Sequence, residues 1–97
     1  MLKLENAEHK LVTISQNNIP GRIAEALLFL QKHYGTDENS FIKVHFTREE
    51  LSNFIGTSIE TTIRTLSDFQ KEKLILLEGR NIKILQEKKL DMILNGY

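Results

Sequence analysis

The second half of the chain places two helix-start signals on either side of a glycine. Thr47 and Glu50 have the spacing of a capping box, in which each side chain satisfies a backbone N–H of the other residue. The helix that begins there stops at Gly56, and Ser58 can cap a second helix that continues to about Lys73. A short helix, a glycine turn and a second helix together predict a helix-turn-helix.

Short apolar runs on both sides of this motif predict strands. Leu74–Leu77 and Ile82–Leu85 are separated by the turn segment 78–81, which contains a glycine, and they predict a β-hairpin. The β-branched and aromatic run Phe41–Phe46 predicts one further strand, and residues 87–95 predict a short closing helix. The predicted fold is therefore α+β and mainly helical, a winged helix-turn-helix with a short β-hairpin wing.

The N-terminal part of the chain predicts a separate helix. Within residues 1–17, the apolar residues follow the a/d spacing of a coiled-coil seam: Leu4, Ala7, Leu11 and Ile14. Such a helix could pack on its own domain, or it could be the end of a longer dimerisation helix, followed by a hinge at residues 16–18. We adopt the second interpretation. Residues 18–97 are then the winged helix-turn-helix domain, which opens with a helix from Pro20 to Gly35.

Composition excludes several classes of protein. The chain has no cysteine, so it has neither a disulfide framework nor a thiolate metal site. Its longest apolar run, Ala26–Leu30, is too short for a membrane span, and residues 1–10 do not resemble a signal peptide, so we expect a cytoplasmic protein without membrane contact. The 13 basic and 13 acidic residues cancel, so nucleic-acid binding has to depend on the local placement of lysine and arginine.

The second helix of a helix-turn-helix enters the major groove, with its N-terminal residues at the base edges. Here that recognition helix covers about residues 58–73. Helical spacing directs Thr62, Leu66 and Phe69 toward the core, and it leaves an opposite stripe exposed: Ile59, Glu60, Ile63, Arg64 and Ser67. Arg64 can donate two hydrogen bonds to guanine, and Glu60 can accept one from cytosine N4. Outside this architecture, the same two residues would be a plain surface ion pair.

Other residues of the motif have two possible roles each. Ile59 and Ile63 could contact thymine methyl groups, but we favour Ile63 packing at the edge of the core. Hydroxyl groups and N–H groups at helix starts, together with basic side chains nearby, predict phosphate contacts: Thr47, Arg48, Ser58, Thr61 and Arg80. Thr47 and Ser58 would cap their helices in any case, and an exposed arginine in a hairpin turn needs no function.

The stretch from Thr47 to Leu66, TREELSNFIGTSIETTIRTL, resembles the helix-turn-helix of the Crp/Fnr family of bacterial transcription regulators. The family pattern contains Thr-Arg-x-Glu-[Ile/Leu], a turn glycine, Ser-x-Glu-Thr, and an arginine four residues after that glutamate. Pro20–Leu28 also resembles the first helix of the family's DNA-binding domain. The resemblance covers about residues 18–94, and residues 1–17 resemble the end of the family's dimerisation helix.

This resemblance implies base contacts by Glu60 and Arg64 and the five phosphate contacts named above. It also implies a homodimer on two-fold-related, double-stranded promoter DNA that regulates transcription through RNA polymerase. Two positions depart from the family: Ile59 stands where several members have a polar base reader, and Ile63 where many have a small residue. We expect Ile59 to contact a base and to change the preferred sequence there. The family's N-terminal β-roll is missing, so an effector such as a cyclic nucleotide would bind that missing domain, and this chain needs no cofactor.

Catalysis has little support in the sequence. His9, His33 and His45 are too scattered for a metal-binding motif, and no phosphate-binding glycine loop or nucleophile elbow is present. We therefore expect no enzyme activity. The alternative function is a winged-helix protein–protein interaction module without sequence-specific DNA binding. The neutral net charge and the two isoleucines on the outer stripe favour that alternative.

Overall fold

Four helices and one β-hairpin follow one another along residues 18–95, which are the residues that this computed structural model describes. Their bounds are α1 Ile19–Tyr34, α2 Arg48–Ile55, α3 Ile59–Lys71, β1 Ile75–Glu78, β2 Asn81–Ile84 and α4 Glu87–Leu94. The order and type of these elements confirm the predicted winged helix-turn-helix. The predicted dimerisation helix, residues 1–17, lies outside the described residues.

Helix α1 begins and ends with local signals that the sequence contains. The Asn18 side chain accepts a hydrogen bond from the Gly21 N–H at 3.0 Å, and Pro20 occupies the first turn, where its missing N–H costs nothing. Gly35 ends the helix with φ +77°. The helix packs against α4, and a Cβ at Gly21 would lie 3.1 Å from the Ile93 carbonyl. Glycine at this position therefore allows α1 and α4 to approach closely.

A single hydrophobic core joins all the elements. Its large apolar side chains that are at most 1 % exposed come from every helix and from the hairpin: Ile23, Leu27, Leu51, Leu66, Ile75 and Leu90. Each helix places these side chains on one face, as its apolar spacing predicts. The core fixes the position of α3, whose inner face is buried while its outer face meets solvent.

The hairpin after α3 is the predicted wing. Strands β1 and β2 are antiparallel, and their register pairs Ile75 with Ile84 and Glu78 with Asn81. Gly79 lies in the turn between them with φ +61°, a backbone conformation that glycine adopts without the usual steric cost. The two predicted apolar runs therefore form the two strands, each shifted by about one residue.

The predicted strand Phe41–Phe46 is wrong. Only two isolated bridges form in this part of the chain, between Thr36 and Ile42 and between Phe41 and Lys83. The segment therefore lies along the edge of the hairpin as a loop, without the continuous ladder that defines a strand.

A local turn explains this difference. The Asp37 carboxylate accepts hydrogen bonds from the N–H groups of Asn39, at 2.8 Å, and Phe41, at 3.0 Å. Ser40 has φ +72°, which reverses the chain direction just before the expected strand begins. Ile42 is buried, and Val44 and Phe46 are half-buried against the core, so the apolar side chains of the run pack without a ladder. Side-chain hydrogen bonds of aspartate commonly compete with strand formation in this way.

Helix α3 ends two residues before the predicted end at Lys73. Lys73 itself adopts φ +61°, and its N–H donates to the Gln70 carbonyl at 2.9 Å. The Leu74 N–H donates to the Phe69 carbonyl, also at 2.9 Å. These two bonds form a Schellman motif, in which a left-handed residue ends the helix. The sequence gives no signal for it, because glycine usually occupies that position.

Candidate nucleic-acid interface

The turn between α2 and α3 depends on a glycine and on an arginine from α1. Gly56 has φ +90°, and its N–H donates to the Ser52 carbonyl at 2.7 Å. The Arg22 guanidinium donates a hydrogen bond to the Ile55 carbonyl at the C-terminal end of α2. A Cβ at position 56 would lie 2.9 Å from Nη2 of Arg22, so the arginine and a larger residue could not occupy their places together. The Arg22 side chain therefore joins α1 to the turn between α2 and α3.

A buried pair of hydroxyl groups joins α2 to α3. Ser52 Oγ and Thr62 Oγ1 are 2.8 Å apart, and their residues are at most 1 % exposed. Ser52 Oγ also lies 2.6 Å from the Arg48 carbonyl, and Thr62 Oγ1 lies 3.0 Å from the Ser58 carbonyl. The two hydroxyl groups have only two hydrogens for these three contacts, so two of the three hydrogen bonds form at any one time. Because buried hydroxyl groups need a partner, this network ties the two helices in one register.

Both helices of the motif start with the predicted caps. Thr47 Oγ1 accepts from the Glu50 N–H at 3.0 Å, and the Glu50 carboxylate accepts from the Thr47 N–H at 2.9 Å, which confirms the capping box. Ser58 Oγ accepts from the Thr61 N–H at 3.1 Å and lies 2.9 Å from Thr61 Oγ1. Ser58 therefore has local partners, whereas the hydroxyl hydrogen of Thr61 can turn outward.

The outer face of α3 is exposed along its first two turns. We call Ile59, Glu60, Ile63 and Arg64 the recognition face. The opposite stripe is buried as predicted, since Thr62, Leu66 and Phe69 are at most 5 % exposed. All four residues of the recognition face therefore point away from the domain.

The expectation that Ile63 packs at the edge of the core is wrong, because its side chain is 50 % exposed. Leu66, three residues later, is 1 % exposed and fills the core side of the helix at this level. Ile59, one turn before Ile63, is 42 % exposed. The structure therefore leaves both isoleucines beside Glu60 and Arg64.

Arg48 connects the start of α2 to the wing. Its Nη2 donates a hydrogen bond to the Gly79 carbonyl at 2.8 Å, across 31 positions of the chain. Burial lowers the pKa of the Arg48 guanidinium from its ordinary value, because desolvation penalises the charged form. The sequence predicts Arg48 as a phosphate contact and gives no sign of this tie to the hairpin turn. Arg80, the next residue of that turn, is exposed.

A second apolar surface, which no prediction from the sequence covers, lies on α1, α2 and the loop that precedes α2. We call Phe29, His33, Tyr34, Phe46 and Phe54 the aromatic cluster, because each ring has a neighbour within 6.1 Å between centroids. A cleft of about 350 Å³ runs beside it, between Arg22 and Phe54. Helical spacing could have found the contact between Phe29 and His33, but the contact with Phe54 depends on how the helices pack.

Other types of site find no support in residues 18–95. That part of the chain contains no group of three or more histidine, cysteine, aspartate or glutamate side chains placed to hold a metal ion. Of its helices, none is both long enough and apolar enough to cross a bilayer.

Comparison with known proteins identifies the family. Residues 21–93 match the family model described as the Crp-like helix-turn-helix domain. The CRP-like cAMP-activated global transcriptional regulator of Mycobacterium tuberculosis is 32 % identical over 91 % of this chain and 40 % of its own length. The transcriptional activator protein Anr of Pseudomonas protegens is 27 % identical over 97 % of this chain and 39 % of its own length.

A solved structure agrees with these relatives. The catabolite activator protein of Thermus thermophilus superposes with a TM-score of 0.71 and 26 % identity, over 96 % of this chain and 41 % of its own. The chain thus spans about 40 % of the length of these relatives. Both curated relatives are named as proteins that regulate transcription, and the matching family model is that of a helix-turn-helix domain. With a family model matched over most of its length and the same winged fold, the chain belongs to the family of Crp-like helix-turn-helix domains.

Proposed function

We propose that this domain binds duplex DNA by placing α3 in the major groove, with the recognition face against the base edges. The observation that carries the proposal is the division of α3 into two stripes. Thr62, Leu66 and Phe69 anchor the helix in the core, whereas Glu60 and Arg64 are exposed one turn apart on the other side. A helix held in this way can enter the groove without a change in the fold.

Each polar residue of the recognition face has a base partner of matching chemistry. Arg64 donates two hydrogen bonds to O6 and N7 of a guanine, and Glu60 accepts one from N4 of a cytosine. Both residues lie in the first half of α3, which is the part of a recognition helix that reaches the base edges. Ile59, in the first turn, is the third base contact. The two polar residues therefore specify G·C pairs within each half-site.

Phosphate contacts flank this surface on two sides. Thr47 and Arg48 stand at the start of α2, Ser58 and Thr61 at the start of α3, and Arg80 in the wing turn. Helix N-termini attract phosphate through their unpaired N–H groups and the helix dipole. Because Arg48 donates only one of its five N–H groups to Gly79, it can bind a phosphate and hold the wing at the same time.

The whole protein is proposed to act as a cytoplasmic, homodimeric transcription regulator without enzyme activity. The formal net charge of this chain is zero, so one copy alone should bind DNA modestly. Two copies related by a two-fold axis would bind an imperfect palindrome with half-sites about 34 Å apart, one turn of the double helix. We assign RNA polymerase contact and effector binding to the full-length protein and no cofactor to this domain.

Selection from a random duplex DNA library tests this function. The full 97-residue chain is fused behind a dimerising coiled coil, so that weak dimerisation cannot mask binding. We expect a palindrome to be enriched by the wild type and lost with Arg64→Ala. Lys89→Ala is the matched control, because it removes an exposed positive charge from α4 instead of α3 and should leave the palindrome unchanged.

Salt dependence separates DNA binding from the protein-interaction alternative. Affinity for the selected operator should fall steeply as salt rises, because each phosphate contact releases counterions. Enrichment of no sequence, even at low salt, would overturn the proposed function and favour a protein partner on the recognition face.

A further inference from the structure

The two isoleucines of the recognition face form an apolar row along α3. Ile59 and Ile63 are one helical turn apart and share one side of the helix, with 42 % and 50 % of their surfaces exposed. Single exposed apolar residues are common on proteins and need no explanation. Here two β-branched residues stand together on the face that the proposed function places in the groove.

This apolar row runs parallel to the polar row of Glu60 and Arg64. Ile63 is three residues after Glu60, so these side chains are neighbours on the helix surface. The isoleucines cannot turn inward, because Thr62 and Leu66, at most 1 % exposed, already occupy the core side. Any DNA contact that brings Arg64 to a base edge therefore also brings Ile63 into the groove.

We propose that Ile59 and Ile63 read the 5-methyl groups of thymines beside the base pairs read by Glu60 and Arg64. This inference rests on the proposed function. In the major groove the thymine methyl is the apolar feature of the base edges, whereas the other bases present hydrogen-bond donors and acceptors. Isoleucine against a cytosine amino group or a guanine oxygen would desolvate a polar group without a partner, which is costly.

The stiffness of the side chains favours this reading. A β-branched side chain in a helix keeps one strongly preferred χ1 rotamer, so Ile59 and Ile63 lose little conformational entropy when they dock. A rise of about 1.5 Å per residue puts them about 6 Å apart along the axis. Successive bases on one strand are about 3.4 Å apart. The two thymines should therefore lie within about two base steps of each other.

Uracil replacement tests the proposal because it removes only the methyl group. With the selected operator, each thymine of a half-site is replaced in turn by deoxyuridine, and the Kd of the wild-type fusion is measured. We expect about fourfold weaker binding at each contacted thymine, the value for burying one methyl-sized group. Replacement of thymines that neither Ile59 nor Ile63 contacts should leave the Kd unchanged.

Two variants assign the effect to a residue. Ile63→Ser should bind the thymine operator more weakly and should no longer respond to uracil at one of the two sensitive positions. Arg64→Ala should weaken binding overall but keep the response to uracil at both positions. Far-ultraviolet circular dichroism and thermal unfolding check that each exposed-face variant folds as the wild type does.

The outcomes separate the inference from the function on which it rests. A palindrome that depends on Arg64 but tolerates uracil at every thymine would overturn the thymine reading and leave the proposed function in place. A uracil response that persists unchanged in both Ile63→Ser and Ile59→Ser would also overturn it. Failure to select any operator would overturn the proposed function and the inference together.

Discussion

The inner and outer stripes of α3 contain similar residues but have opposite roles. Both stripes combine aliphatic and polar side chains: Thr62 and Leu66 inside, Ile63 and Arg64 outside. The inner pair is at most 1 % exposed, whereas Ile63 is 50 % exposed. The polarity of a side chain therefore does not decide its role on this helix; its angular position does. We expect inner substitutions to change stability and outer substitutions to change DNA binding alone.

The position of a side chain, and not its chemical type, also decides the role of each arginine in the domain. Arg22 and Arg48 donate hydrogen bonds to backbone carbonyl groups of Ile55 and Gly79, and they hold the turn and the wing in place. Arg64 and Arg80 are exposed. Under the proposed function, Arg22 serves the fold alone, Arg48 both holds the wing and binds a phosphate, and Arg64 and Arg80 contact DNA.

The largest expected effect comes from the inner stripe. Leu66→Ala should lower the free energy of unfolding by about 2–5 kcal/mol, because it leaves a cavity at the centre of the core. Urea denaturation, monitored by circular dichroism, measures this free energy of unfolding. Ile63→Ala is the matched outer substitution and should change the same quantity by less than about 0.5 kcal/mol. Equal losses in the two variants would contradict the division of α3 into two stripes.

The next largest loss of stability should come from substitution in the turn between α2 and α3. Gly56→Ala should cost about 1–3 kcal/mol of stability from left-handed backbone strain alone. The new Cβ also comes within 2.9 Å of the Arg22 guanidinium, so the loss should exceed that of Gly79→Ala, where nothing lies within 4 Å. Thermal unfolding of the two variants compares them. A larger loss at Gly79 would show that Arg22 does not restrict the turn.

On the outer stripe, Arg64→Ala should weaken binding to the selected operator by about 1–3 kcal/mol, because it removes a bidentate contact to guanine. Fluorescence anisotropy with labelled duplex measures the change in Kd. Thermal unfolding of the same sample should match the wild type. Arg64→Ala that lost stability but kept selective binding would place this residue with the inner stripe.

The smallest of these losses, a loss of stability, should follow substitution of the hydroxyl pair between α2 and α3. Thr62→Val keeps the shape of the side chain and removes its hydrogen bonds, so stability should fall by about 0.5–1.5 kcal/mol. The double variant Ser52→Ala with Thr62→Val should lose less than the sum of the two single losses, because the partners are 2.8 Å apart. Strict additivity in a double-mutant cycle would mean that the two hydroxyl groups act independently.

Local signals explain how much the sequence could predict. The capping box of Thr47 and Glu50 and the cap at Ser58 involve residues three positions apart, so the helices of the motif were predictable to within about two residues. Gly56 and Gly79 likewise mark turns by their own backbone freedom. The order of elements, and with it the fold, follows from these signals.

The predictions that failed depend on contacts or geometry that no local pattern contains. Phe41–Phe46 has the composition of a strand, but only Phe41 and Ile42 bond to the hairpin, directly after the Asp37 turn, and no continuous ladder forms. Helical spacing places Ile63 on the outer stripe, and only its apolar character favoured the edge of the core, so its exposure agrees with the spacing and not with its hydrophobicity. The bond from Arg48 to Gly79 spans 31 positions and follows from the way that the hairpin packs.

The most direct test of the central claim is an amide chemical-shift map of the isotopically labelled 97-residue chain, titrated with the selected operator. We predict the largest shifts at residues 58–67, at residues 47–48 and in the wing turn, residues 78–81, with Phe29, His33 and Tyr34 of the aromatic cluster unchanged. Shifts centred on Phe29 and Phe54, with the recognition face unchanged, would contradict the claim that α3 reads DNA.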